Sequence, residues 1–176
     1  MSILRPFNLN KWIDENRHLM KPPVGNETIY KQAGTFIVMI VGGPNSRKDF
    51  HFNESEELFY QLQGDITVRI QENSKIVDIP IKEGDIFLLP ARTPHSPQRG
   101  PNTIGMVVEK IRDTNELDGF MWFCESCGNK LHEEFMYVSD IVTQLPPVMK
   151  GFYESKENRT CKKCGSVLEP PIPVKV

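Results

Sequence analysis

His51-Phe52-Asn53-Glu54-Ser55-Glu56-Glu57-Leu58-Phe59-Tyr60-Gln61-Leu62-Gln63-Gly64 holds, within one short span, two metal-ligand residue types, the opening of a strand and the glycine of a turn. Its second half, Leu58 to Gln63, reads as a strand, and Gly64-Asp65 is the turn that follows. The same pattern repeats outward. Phe36-Ile37-Val38-Met39-Ile40-Val41 is a β-branched run closed by Gly42-Gly43-Pro44 and predicts a buried strand. Further short strands are expected at Ile66 to Ile70, Ile76 to Ile81, Ile86 to Leu89 and Thr103 to Glu109. Turn formers divide them at Glu72-Asn73-Ser74, Glu83-Gly84-Asp85 and Arg99-Gly100-Pro101-Asn102. Many short strands at near-regular spacing imply a sandwich or barrel, not a parallel sheet with crossover helices. The all-β region spans roughly residues 30–112.

The flanks differ. Trp12, Ile13, Leu19 and Met20 cluster toward one face of a short helix from Leu9 to Met20, capped by Asn8 and ended by Pro22-Pro23. From Asp118 the strand pattern breaks. Ser139 to Leu145 reads as a helix or an extended arm, and Glu169-Pro170-Pro171-Ile172-Pro173 as an extended tail. The expected organisation is a barrel with its N-terminal helix over 1–117 and a tail module over 118–176.

The 176 residues are 39% apolar and 25% charged, enough chain to bury a core. A net charge of −2 gives no electrostatic footprint for DNA or RNA, so no nucleic-acid partner is expected. No run approaches the roughly 18 apolar residues of a membrane helix, and Met1-Ser2-Ile3-Leu4-Arg5-Pro6 lacks a signal peptide's apolar stretch. The chain reads as a soluble cytoplasmic protein.

Cys124-Glu125-Ser126-Cys127-Gly128 and Cys161-Lys162-Lys163-Cys164-Gly165 are two matching knuckles, the only internal repeat. In a reducing compartment paired Cys-x-x-Cys elements bind metal more often than they crosslink. Four thiolates make a closed tetrahedral site that accepts iron or zinc alike. A closed site leaves no room for substrate, so the expected role is structural, holding a segment poor in apolar residues; electron transfer is the alternative.

Inside the barrel, His51 and Glu57 precede one strand and His95 follows Leu88-Leu89-Pro90. Two imidazoles and a carboxylate with open positions form the facial triad of non-haem Fe(II) oxygenases. Spacing alone leaves open the plainer reading of hydrogen-bonded or exposed histidines. The wider pattern bears on that choice. His51-Phe52-Asn53-x3-Glu57-x6-Gly64 and Gly84-x5-Pro90-x4-His95 resemble the two cupin motifs, which implies a double-stranded β-helix, a jelly-roll barrel. Asn53 stands where many cupins have a further histidine ligand, Arg92 replaces a turn glycine, and Arg99 replaces the final asparagine. The first departure leaves a three-ligand site.

Pro22-Pro23-Val24-Gly25-Asn26, Gly42-Gly43-Pro44-Asn45-x-Arg47, Glu57-x-Phe59-Tyr60-Gln61-Leu62, Phe87-Leu88-Leu89-Pro90 and His95-Ser96-Pro97-Gln98-Arg99 together resemble the 3-hydroxyanthranilate 3,4-dioxygenase family. Asp118-Gly119-Phe120-x-Trp122 leading into Cys124 is similar to its microbial form with an extra, rubredoxin-like metal site. The resemblance implies ring cleavage of 3-hydroxyanthranilate by O2 at a catalytic Fe(II) held by His51, Glu57 and His95, with a second Fe or Zn on Cys124, Cys127, Cys161 and Cys164. The product would be 2-amino-3-carboxymuconate semialdehyde, on the route from tryptophan through kynurenine to quinolinate and NAD. No organic cofactor is needed.

The resemblance also assigns pocket roles. Arg99 would anchor the substrate carboxylate in bidentate fashion. Arg47 would line the dioxygen side of the iron, and Glu109 would contact the substrate amine or hydroxyl and could accept a proton. Glu57 joins these three in the expected substrate-binding set. By spacing alone, Arg99 is equally a turn arginine, Arg47 a solvated neighbour of Lys48, and Glu109 a strand end paired with Lys110 or Arg112. Family precedent implies a homodimer. Competing readings are a non-catalytic cupin that binds a small acid or stores metal, and a cupin dioxygenase for a thiol or another catechol-like ring. His18 and His132 are expected to be bystanders.

Overall fold

A computed structural model of the chain describes residues 5–21, 25–32, 34–139 and 141–172. The helix stop assigned to Pro22-Pro23, the N-terminal Met1 to Leu4, the Pro22-Pro23-Val24 part of one motif and the tail's Pro173 lie outside the described residues. Helix α1 (Leu9–Asn16) begins where the Asn8 side chain accepts from Lys11 N at 2.9 Å, as expected of a cap. It is shorter than predicted, because Arg17–Leu19 tightens into a 3-10 turn. That turn carries Leu19 out to solvent, while Ile13 and Met20 are buried.

Eleven strands follow among the described residues: β1 (Asn26–Thr28), β2 (Phe36–Gly42), β3 (Phe50–Phe52), β4 (Glu57–Gln63), β5 (Ile66–Glu72), β6 (Lys75–Ile81), β7 (Ile86–Leu89), β8 (His95–Arg99), β9 (Ile104–Lys110), β10 (Asp118–Phe123) and β11 (Lys130–Met136). They form two antiparallel sheets, ordered β1-β2-β9-β4-β7 and β11-β10-β3-β8-β5-β6. This is the jelly-roll arrangement that the two motifs imply. Phe59, Leu89 and Val107 from the first sheet pack against Ile66, Val68 and Ile81 from the second. The β5–β6 hairpin turns through Asn73 and Ser74, both at positive φ, the two-residue loop whose twist suits paired strands.

The all-β region runs past the expected limit near 112. Strand β10 pairs with β3 through Phe120↔His51, and β11 extends the same sheet. The division drawn at 117/118 therefore falls inside one hydrogen-bonded sheet. Strand β8 was hidden in the sequence by Pro97, which cannot donate to a ladder. The strand keeps its ladder with β5, and on its other edge the Asn45 side chain stands in for a strand, donating to Pro97 O at 2.8 Å and accepting from Arg99 N at 2.9 Å.

The tail helix also departs from expectation. Helix α2 (Ile141–Glu154) runs straight through Pro146 and Pro147, and a short α3 (Lys156–Arg159) follows. Proline costs a helix its backbone bond. Packing offsets this, because Val148 and Phe152 are buried with Phe120, Trp122 and Leu168 in a second core. Strand β2 is less buried than its run suggests: Phe36 is 55% exposed, on the outer face of the first sheet.

Candidate active site

The strand register assembles the site. His51 and His95 are direct partners across β3 and β8, and Glu57 faces Glu109 across β4 and β9. His51, Glu57 and His95 offer ligand atoms that all lie within 4.8 Å of one another, and all three are buried. Glu57 Oε1 is 3.4 Å from His51 Nδ1, and its Oε2 is 3.3 Å from His95 Nε2.

The outer nitrogens are spoken for. His95 Nδ1 is 3.0 Å from Thr93 O, a carbonyl that can only accept. His51 Nε2 is 3.0 Å from Asp118 Oδ2, whose carboxyl is held below its usual range by His51 and Arg112 against the effect of burial. Each imidazole thus spends its outer N–H on an acceptor and turns its other nitrogen toward Glu57, the arrangement that orients metal-ligating histidines. Burial disfavours the His51 imidazolium, but Asp118 and Glu57 outweigh it and push the group up to about 9. Glu57 is likewise held well below the usual carboxylate range, burial being overcome by His95 and His51. A divalent cation would take the place of that proton.

Asn53, at the departed ligand position, is fully buried and donates to Glu57 Oε1 at 2.8 Å. It orients the carboxylate. Arg92, at the departed glycine, keeps a glycine-like φ of 61°. Its N–H donates to Asn53 O at 2.9 Å and its guanidinium meets Glu54 at 2.6 Å, which hold the loop under Asn53.

Glu109 is buried, and burial and Glu57 raise its pKa against the pull of Arg112. Both readings of this residue have a counterpart: it faces inward beside Glu57, and Arg112 Nη1 lies 2.8 Å from its Oε2. Lys110 turns instead to Asp113 and Glu116. No local pattern marks that Arg112 also grips Asp118, Nε to Oδ1 at 2.9 Å and Nη2 to Oδ2 at 3.0 Å. Glu109, Arg112, Asp118 and His51 thus form one buried chain. Asp118 was legible only as part of a motif, and Arg112 only as a possible partner of Glu109.

Arg99 is 5% exposed and has no carboxylate partner among the described residues. Burial and then Arg47 lower its pKa to about 10. Arg47 itself is half-buried and ion-paired with Asp49, which raises its pKa against burial, with Glu57 adding to the effect. Lys48 points elsewhere, to Glu125 at 3.1 Å.

The four cysteines also converge, with Sγ atoms within 4.8 Å and Cys124–Cys164 and Cys127–Cys161 each at 3.6 Å. Both knuckles curl alike: Gly128 N donates to Cys124 O at 2.8 Å and Gly165 N to Cys161 O at 2.9 Å. Both glycines have positive φ, 70° and 78°. His132 lies in a ring cluster with Trp122 and Phe152 and is not among the described residues that converge as possible ligands.

Residues 1–153 match the sequence model of a family described as 3-hydroxyanthranilic acid dioxygenase. A 3-hydroxyanthranilate 3,4-dioxygenase of Xanthomonas oryzae pv. oryzae (strain MAFF 311018) is 48% identical over 169 residues, 96% of this chain and 95% of that one. A protein of the same name from Bacillus cereus (strain ATCC 10987 / NRS 248) is 48% identical over 170 residues, 96% of this chain and 94% of that one. Among solved structures, a cupin-2 domain containing protein from Shewanella frigidimarina overlays with a TM-score of 0.47 at 13% identity, covering 56% of this chain and 92% of that one.

Proposed function

The chain belongs to the 3-hydroxyanthranilic acid dioxygenase family, and from that premise we propose that it cleaves the ring of 3-hydroxyanthranilate with O2 at one ferrous ion held by His51, Glu57 and His95. The observation that carries this reading is the pair of imidazole nitrogens facing Glu57 while their outer nitrogens are engaged by Asp118 and Thr93. That donor set suits Fe(II) with open positions. Ferrous iron there supplies the positions at which the aminophenol and dioxygen meet.

The chain's own residues bind and orient. Arg99, a buried cation with no carboxylate partner among the described residues, takes the substrate carboxylate and fixes the ring's orientation. Glu109, with its raised pKa beside Glu57, accepts the proton released by the substrate hydroxyl or ammonium. Arg47 brings positive charge within electrostatic reach of Glu57, on the side where charge develops on oxygen. Phe59, buried between Glu57 and Gln61 on the inward face of β4, helps keep water out. Ring opening between the hydroxyl-bearing and carboxylate-bearing carbons places both oxygen atoms in 2-amino-3-carboxymuconate semialdehyde, on the tryptophan and kynurenine route to quinolinate and NAD.

A second iron or zinc on the four cysteines is structural in this reading, and a quartet that needs free thiols suits the reducing cytoplasm. No helix among the described residues is long and apolar enough to cross a membrane. A homodimer is supported by the outer face of the first sheet, where Phe36, Tyr60, Ile86 and Leu88 are left exposed beyond the part that α1 covers. The decisive experiment is oxygen uptake by anaerobically Fe(II)-loaded protein given 3-hydroxyanthranilate. Fast uptake is expected, falling by about a thousandfold or more in His51→Ala. An iron-loaded protein that consumes no oxygen would turn the assignment toward another acidic ligand.

A further inference from the structure

We propose that Gln61 and Gly105 make Arg99 a free anion-binding cation: Gln61 holds the guanidinium without neutralising it, and Gly105 leaves the space in which it stands. The inference rests on the reading that Arg99 binds the substrate carboxylate and adds the residues that set its selectivity.

The strands repeat their pattern four residues on. Glu57 faces Glu109 across β4 and β9, and Gln61 faces Gly105 across the same pair. His95 and Arg99 are likewise four apart on β8, so all point to one face. Where the first layer is anionic, the second is neutral apart from Arg99. Its closest side-chain partner is Gln61 Oε1, 3.4 Å from Nη1.

The Gln61 amide cannot turn over. Its Nε2 donates to Gln63 O at 2.9 Å and Gly64 O at 2.8 Å, where the β4 ladder shifts register before the turn. Both donor positions are used, so the oxygen must face the arginine. A glutamate would meet those two carbonyls with oxygen and would pair Arg99 internally, removing the charge a carboxylate ligand needs. Across the strand, a Cβ on Gly105 would stand 2.7 Å from Gln61 Oε1 and 2.9 Å from Arg99 Nη1. No other residue fits without displacing both groups.

The test compares two ligands of the iron-loaded protein under anaerobic conditions: 3-hydroxyanthranilate, and 2-aminophenol, which lacks the carboxylate. Dissociation constants are read by titration and need no turnover. Arg99→Ala comes first. If it leaves both ligands unchanged, the underlying reading of Arg99 fails. If it weakens only 3-hydroxyanthranilate, that reading stands and Gln61 is judged alone.

Gln61→Glu is then expected to weaken 3-hydroxyanthranilate about tenfold or more and 2-aminophenol by about twofold at most. Gln61→Met, neutral and of similar length, loses the hold but not the charge, and should weaken 3-hydroxyanthranilate by about threefold, clearly less than Gln61→Glu, and 2-aminophenol by about twofold at most. Equal losses in the Glu and Met variants would overturn the proposal, because a lost hydrogen bond would then explain both. So would unchanged 3-hydroxyanthranilate binding in Gln61→Glu. Should that variant fail to fold by circular dichroism, Gly105→Ala decides. It must weaken 3-hydroxyanthranilate about fivefold with 2-aminophenol unchanged, and an equal effect on both ligands overturns the inference.

Discussion

The barrel cluster and the cysteine quartet solve the same problem in opposite ways. The barrel ligands come from three strands in two sheets and are buried, and each imidazole is braced by an acceptor behind it. They exist as a site only once β3, β4 and β8 have closed on one another. The cysteines come from two tight turns, each built by one local backbone bond and a glycine at positive φ, and Cys164 remains exposed. In the barrel the fold makes the site. In the tail, on the proposed reading, a metal would help make the fold beside the core of Trp122, Val148 and Phe152, since it would join two turns far apart in the chain.

The strongest way to break that contrast is to disable each candidate metal site separately. Cys161→Ser should lower the melting temperature by about 10 °C or more and split the transition, with the tail melting first. His51→Ala should abolish oxygen uptake yet lower the melting temperature by only a few degrees, because the barrel core of Phe59, Val68 and Leu89 does not depend on it. Scanning calorimetry of both variants checks this. Equal destabilisation would mean that the barrel, too, is held by its metal.

A smaller effect sharpens the barrel half of the comparison. Asp118→Asn keeps the side chain's shape but removes the charge that accepts from His51 and receives Arg112 through two bonds. Loss of such support typically costs 10–100-fold, so about that loss in Fe(II) affinity is expected by competition with a chelator. The cysteine site should keep its metal. If iron affinity is unchanged, the Asp118 brace is only structural.

These same contacts show where sequence reading reaches its limit. The convergence of His51, Glu57 and His95 and of the four cysteines was legible because residue type and local spacing point to it. Strands β2, β4, β5, β6, β7 and β9 were legible from branched and aromatic runs. Strand β3 is three residues with a histidine at its centre, and β8 contains a proline, so neither shows a strand pattern. Strand β10 is buried at every position, a pattern that lacks the alternation by which half-buried strands are found. Asp118 reaches His51 only because β10 pairs with β3 across 67 residues of sequence, and no local signal encodes that pairing. The prolines of α2 misled in the other direction, since a buried face can override a local preference.

The smallest expected effect tests whether the two regions are independent at all. Besides the pairing of β10 with β3, two surface side-chain contacts among the described residues tie the tail to the loop that carries Arg47: Ser46 Oγ donates to Ile172 O at 2.6 Å, and Lys48 Nζ meets Glu125 at 3.1 Å. Both lie at the surface, where such interactions contribute little. A Ser46→Ala, Lys48→Ala double variant should therefore melt within about 3 °C of the parent and keep kcat/KM within about threefold. Arg47 has its own anchor in Asp49, which is buried and needs neither contact. A tenfold fall in kcat/KM with an unchanged melting temperature would show that the tail positions the Arg47 loop for the reaction. The cysteine module would then act on catalysis through two surface contacts, and the contrast between a fold-made site and a metal-made fold would hold for assembly but not for activity.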